Sequence, residues 1–231
     1  MMNKCTLSVC AFGVLLMAQV LDGQGLAQYR EFALRSDVAT VSKLTGVPTS
    51  ELKTIHERPA ILQDLQWRPS RWNASSAVAS TDPVDKIGFS FYDNQLFRIV
   101  VDYGHERTAG MTEADMTEAI SAIYGAPVRR LPGTIRIASQ LEAESGSPVA
   151  RWGDGEYAVV LFRTSSYGDA FRLIVTVPAL DDLARKAELR ALRLDDQEAP
   201  RREIARQKKE KEDLRIAIEK SRAANKASFK P

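Results

Sequence analysis

Cysteine is nearly missing from this chain. Of 231 residues only Cys5 and Cys10 carry a thiol, and both sit in an N-terminal apolar stretch. If that stretch is removed on export, disulfides, zinc–thiolate sites and cysteine nucleophiles are all excluded. Histidine is as scarce: His56 lies in Thr54-Ile55-His56-Glu57-Arg58 and His105 in Gly104-His105-Glu106-Arg107. Neither belongs to a paired motif of the His-Glu-x-x-His kind, so each reads first as a surface or strand-edge side chain. No Gly-x-Ser-x-Gly elbow, P-loop or Gly-x-Gly-x-x-Gly occurs. Gly153-Asp154-Gly155 reads as a hairpin turn rather than a phosphate loop. Glu142 and Glu144 are carboxylates close in sequence, which says nothing about the separation that acid–base chemistry needs. An excess of one charge is lacking too. The formal net charge of +2 supplies no bulk argument for nucleic acid or for an anionic membrane. The residues therefore nominate no catalytic group, no cofactor and no metal ligand.

What is present divides the chain in three. Lys4 precedes a charge-free apolar run from Cys5 to Leu21, and Gly25-Leu26-Ala27 offers small residues where a signal peptidase reads. Residues 1–27 thus read as an export signal, with an uncleaved anchor as the alternative; no transmembrane span is expected in the mature chain. Leu7-Ser8-Val9-Cys10 has valine before the cysteine and comes too early for lipidation. Residues 28–178 read as one globular domain and 179–231 as a charged helical tail, in a chain whose 44% hydrophobic content suits a packed core.

The domain is organised around Lys86–Tyr103. Ile87, Phe89 and Phe91, then Phe97, Ile99 and Val101, alternate with small or polar residues, the period of two of a half-buried β-hairpin. Pairing Phe91 with Phe97, Phe89 with Ile99 and Ile87 with Val101 predicts a three-residue loop, Asp93-Asn94-Gln95. Upstream, Gln28–Leu34 reads as a strand, Ser36 as the cap of a short helix ended by Gly46 and Pro48, and Ile61–Trp67 as a second strand. Residues 71–83 read as a surface loop, where Asn73-Ala74-Ser75 matches a glycosylation sequon. Downstream, Gly104–Gly110 reads as a polar loop. Thr112 caps a helix with Met116, Ala119, Ile120 and Ile123 inward, and Gly125 and Pro127 stop it. Residues 134–138 suggest a short strand. Three strands follow as a meander: Pro148–Trp152, Glu156–Thr164 and Ala170–Val177. The fold class is α+β, an antiparallel sheet with two short helices and a long charged C-terminal helix. The two helix–Gly-x-Pro units, ending at Pro48 and Pro127, read either as a tandem repeat or as the stop signal common to helices.

In the tail, opposite charges recur four residues apart, as in Asp181/Arg185, Asp182/Lys186, Arg206/Glu210 and Arg215/Glu219, which supports one long helix or two meeting at Pro200. Leu180, Leu183, Ala187, Ala191 and Leu194 form the stripe expected to dock on the domain. Ile204, Leu214 and Ile218 are too sparse for a strong coiled coil.

Trp67, Arg68, Arg71 and Trp72, with Arg151 and Trp152, combine the residue types enriched at interface hot spots and form the candidate binding group. The order of strand, helix, Gly-x-Pro and strands after a signal sequence resembles SmpA/OmlA-type envelope lipoproteins and β-lactamase-inhibitor-like modules. It is also similar to uncharacterised exported bacterial proteins. The first resemblance implies envelope placement, but the lipidation cysteine it calls for is absent. The expectation is an exported, non-catalytic binding module acting on an envelope protein or ligand. The alternatives are an exported hydrolase using carboxylates or His56, and a structural protein that self-associates through its tail.

Overall fold

The computed structural model describes residues 25–69, 82–129, 145–164, 170–228 and 230. The N-terminal apolar stretch up to residue 24, Arg71, Trp72, the Asn73 sequon, the strand suggested at 134–138, Glu142 and Glu144 lie outside the described residues.

The fold is α+β, as its pattern predicts. Strands β3 (Lys53–His56), β4 (Leu62–Trp67), β5 (Val84–Tyr92), β6 (Gln95–Tyr103), β7 (Ser147–Gly153), β8 (Ala158–Thr164) and β9 (Ala170–Thr176) form one seven-stranded sheet in the order β3-β4-β5-β6-β9-β8-β7. Every neighbouring pair is antiparallel. One row crosses six strands: Leu65, Phe89, Ile99, Val175, Val159 and Trp152 stand opposite one another in turn. None is more than 1% exposed. Directly opposed residues share a face, so this belt defines the inner side of the sheet. Helices α1 (Val38–Thr45) and α3 (Glu113–Tyr124) cover that side with Val38, Val41, Met116 and Ile120.

The central hairpin departs from its predicted register at the tip. Asp93 (φ 45°) and Asn94 (φ 66°) form a two-residue turn, and Tyr92 faces Gln95. Two successive left-handed residues give the turn whose twist matches the strands, and Asp and Asn enter that region more readily than Gln. Phe91 therefore faces Leu96, not Phe97, and the register shifts by one residue before Ser90 faces Arg98. This bulge keeps Phe89 opposite Ile99 and holds Arg98 off the inner face. Phe97 packs instead with Leu62 and Ala184. The backbone groups freed by the bulge are taken up by neighbours. Leu96 N–H donates to Ser36 O (2.8 Å), Arg35 N–H donates to Leu96 O (2.7 Å) and Val177 N–H donates to Phe97 O (2.8 Å).

Other local expectations are corrected in the same way. Gln28–Leu34 is a tight pair of two-residue strands, β1 (Gln28–Tyr29) and β2 (Phe32–Ala33), because Arg30 at φ 52° reverses the chain. Asp37 rather than Ser36 caps α1, its carboxylate accepting from Thr40 N–H at 2.7 Å. The loop expected at Gly104–Gly110 contains a helical turn, α2 (His105–Thr108). Thr112 does cap α3, in a reciprocal capping box with Asp115.

The helix–Gly-x-Pro units are followed by β3-β4-β5 and by β7-β8-β9, each with its last strand beside β6. Both helices lie on the same face, and β5 and β9 run in the same direction, both antiparallel to β6. The two series are thus related as mirror images, which no rotation superposes. Their terminal glycines also differ, with Gly46 left-handed at ψ 5° and Gly125 at ψ −162°.

Candidate functional site

Among the described residues, the sheet holds Trp67 and Arg68 apart from Arg151 and Trp152. Trp67 ends β4 and Trp152 lies in β7, with four strands between. Trp152 is buried, and its Nε1–H donates to Gly125 O at 2.9 Å, tying β7 to the end of α3. A buried indole needs such an acceptor, so this tryptophan holds the core together. Trp67 is half-buried, edge-on to the Phe32 ring at 5.6 Å, and Arg68 beside it is exposed. Arg151 is half-buried, one residue before Trp152. The histidines are no closer to one another. His56 pairs with Leu62 near the hairpin tip, whereas His105 follows β6 at its other end, about 27 Å away along a nine-residue strand. No cluster of three His, Cys, Asp or Glu side chains suited to a metal ion occurs among the described residues.

A polar corner that the sequence reading passed over lies where β1, β5, β6 and α3 meet. Arg30 holds Asp82 with two parallel hydrogen bonds, of 2.9 and 2.8 Å, and lies 5.5 Å over the Tyr29 ring. Asp82 also accepts from Val84 N–H (2.9 Å), which fixes the entry to β5. Tyr29 and Tyr103 are buried in the same core cluster, and Tyr124 O–H donates to Gln28 O at 2.9 Å. Burial raises all three phenols above their ordinary range. They stay neutral and act as donors and packing surface, not as bases.

The Arg30 hydrogen bonds, the largest cause, hold the Asp82 carboxyl below its usual range against the opposing effect of burial. A carboxylate depressed in the folded state stabilises above its unfolded pKa of about 3.9, and that stability is lost as pH falls through the folded value. Asp82→Asn removes this contribution. Its thermal midpoint is expected to depend less on pH below about 4 than that of the parent. Parallel melting curves across the acid range check this; identical slopes would contradict the assignment.

The outer face of the sheet carries α4 (Pro178–Ser228), a helix of 51 residues and about 75 Å. Pro178 starts it, where a missing N–H costs nothing. Asp181, Ala184, Ala187 and Ala191 are its buried residues, and Leu180 packs beside Phe97 and Leu62. Leu183, expected in this stripe, is 45% exposed, and Ala184 takes the inward place. The small side chains let the helix approach the sheet closely. Asp181, expected to pair with Arg185, instead accepts from Arg98 Nε at 2.9 Å and from its Nη2, with only 2% of its side chain exposed. Arg185 pairs with Asp182. Further out, exposed Arg58 pairs through both terminal nitrogens with Glu198.

Beyond that pair the helix has no neighbour among the described residues: every position from Ala199 to Ser228 is exposed. The helix runs unbroken through Pro200. Proline offers no N–H to the preceding turn, and Arg202 Nη2 donates to Asp195 O (3.0 Å) and to its carboxylate (2.9 Å) there. Arg206 with Glu203 and Glu210, and Arg215 with Glu212 and Glu219, brace the turns that follow. No helix among the described residues is long and apolar enough to cross a membrane.

No family model, curated protein or solved structure matches the chain.

Proposed function

We propose that the chain is an exported, non-catalytic interaction module of the cell envelope, in which an α+β domain carries a helical arm that meets a partner. The observation that carries this reading is the exposure of the outer part of α4 over its whole circumference. A helix of thirty residues, Ala199 to Ser228, gains nothing from its own domain. Isolated helices are marginal in water, so a long one held together by its own ion pairs serves reach or contact. The signal-like pattern of residues 1–27 supports export.

Deleting Pro200–Pro231 tests the division. The thermal midpoint is expected to change by no more than about 1 °C, because the deletion removes no buried group among the described residues. The shortened chain is expected to fractionate from the envelope extract at its own mass, while the full chain sediments in a larger complex. Unfolding on deletion, or identical sedimentation of the two, would overturn the reading.

A further inference from the structure

The charge of the tail is unevenly placed. Residues 179–198 carry four basic and six acidic side chains, a net of −2, whereas 199–231 carry eleven and five, a net of +6. The acidic part is the docked part, and the basic part is the free arm. In the helix the basic residues sort further. Arg201, Lys208, Arg215 and Arg222 recur every seven residues, about 10 Å apart. With Lys211 and Lys226 they fall within about 80° of the helix circumference. Of the six, only Arg215 forms an ion pair among the described residues. Ile204 and Ile218 lie in or directly beside the same arc, with Leu214 a little further round, and they are 55%, 58% and 62% exposed. Glu219 lies in the arc and Glu212 beside it, both paired with Arg215, so this face carries a net +4, while Asp213, Glu203 and Glu210 lie on the other side of the helix.

We propose that this face of the arm lies along an anionic phospholipid surface, the cations over the headgroups and Ile204, Leu214 and Ile218 pressed into the interface. The proposal rests on the reading of the arm as a contact element and names what it contacts. The cations border the apolar side chains along one edge, and long Lys and Arg chains can reach out to headgroups while such apolar side chains enter the interface, which suits a helix lying in the plane of a membrane surface. A nucleic-acid backbone would satisfy the cations and leave the isoleucines in water. A second arm laid along the first carries the same +6 and repels it.

The test uses the full chain and extruded phosphatidylcholine vesicles, with and without about a third phosphatidylglycerol. Lys208→Gln with Arg222→Gln removes two cations from the row. Lys209→Gln with Lys220→Gln removes two from the far side. Both variants keep the N-terminal apolar stretch, so its contribution cancels. Anionic vesicles are expected to bind the parent more tightly than neutral ones. The first pair is expected to weaken anionic binding about 25-fold, about fivefold per cation, and the second pair by much less. Ile204→Ser with Ile218→Ser is expected to weaken it as well. Equal losses from the two double charge removals would show attraction to net charge alone and overturn the proposal. So would indifference to phosphatidylglycerol, or tighter binding of a DNA duplex with the same dependence on the row. The Pro200–Pro231 deletion separates the two levels: if it still abolishes the larger complex while vesicles fail to bind, the arm's partner is a protein and only the lipid assignment falls.

Discussion

Asp181→Ala is expected to destabilise the fold by about 3–5 kcal/mol, a large share of the roughly 5–15 kcal/mol that holds a domain of this size together. Arg98 is 18% exposed at its side chain, and the Asp181 carboxylate takes two of its hydrogen bonds. Removing that carboxylate leaves a guanidinium caught between the sheet and α4 with its charge unanswered. The loss is a property of the orphaned charge and not the net contribution of the pair. Arg98→Met combined with Asp181→Leu is therefore expected to recover most of it. Urea unfolding of the parent and the two variants, followed by far-ultraviolet circular dichroism, checks both statements. A single-variant loss below about 1 kcal/mol would show that water reaches Arg98.

Gly146→Ala is the second large effect. Gly146 precedes β7 with φ at 98°, and an added Cβ would lie 2.2 Å from Arg163 O and 3.0 Å from Arg163 C. Both contacts are with backbone, so no side chain can swing aside. The strand must lift, and the first pair of the β7–β8 ladder, Ser147 opposite Arg163, opens with it. The expected cost is about 4 kcal/mol or more, in the range where single substitutions are exceptional. Gly110→Ala is the control. Its φ of 79° imposes similar backbone strain, but nothing lies within 4 Å, so the cost is expected to be only about 1–2 kcal/mol. Equal destabilisation by the two would mean that strain, not the Arg163 carbonyl, decides the outcome.

Strands β4 to β9, α3 with its capping box and the tail helix are local matters of period and capping, and they were legible in the residues. The hairpin tip was not. Alternation alone cannot see that a bulge at Phe97 restores the register which a two-residue turn disturbs. The docking stripe of α4 was misjudged because leucine outranks alanine in hydrophobicity, whereas close approach to the sheet selects the small residue; Ala184 goes in and Leu183 stays out. Arg98 with Asp181 and Arg30 with Asp82 are contacts between residues 83 and 52 positions apart, which no local pattern encodes. Tyr29, Tyr103 and Tyr124 lie far apart in the chain, and only the meeting of β1, β6 and α3 makes them neighbours. Trp152 was hidden for the opposite reason. Adjacent Trp and Arg suggest an exposed hot spot, yet Trp152 is consumed by the core.

The place of β6 in the sheet has a kinetic consequence. β3 to β6 form one run of sequential antiparallel neighbours, and β7 to β9 form another. Each run can form by short-range closure, but the two meet only at the β6–β9 boundary, where Asp102 lies opposite Arg172, 70 residues away. That boundary carries the high loop-closure entropy of the fold and is expected to form last. The groups that bridge it are clustered there: Thr176 Oγ1–H and Val177 N–H both donate to Phe97 O, and Arg172 Nε donates to Asp102. Arg98 and Asp181 join α4 to the same strand only five residues after β9 ends. The first turn of the long helix thus acts as a latch on the slowest junction in the sheet, and the arm beyond it is free to extend without loosening the domain.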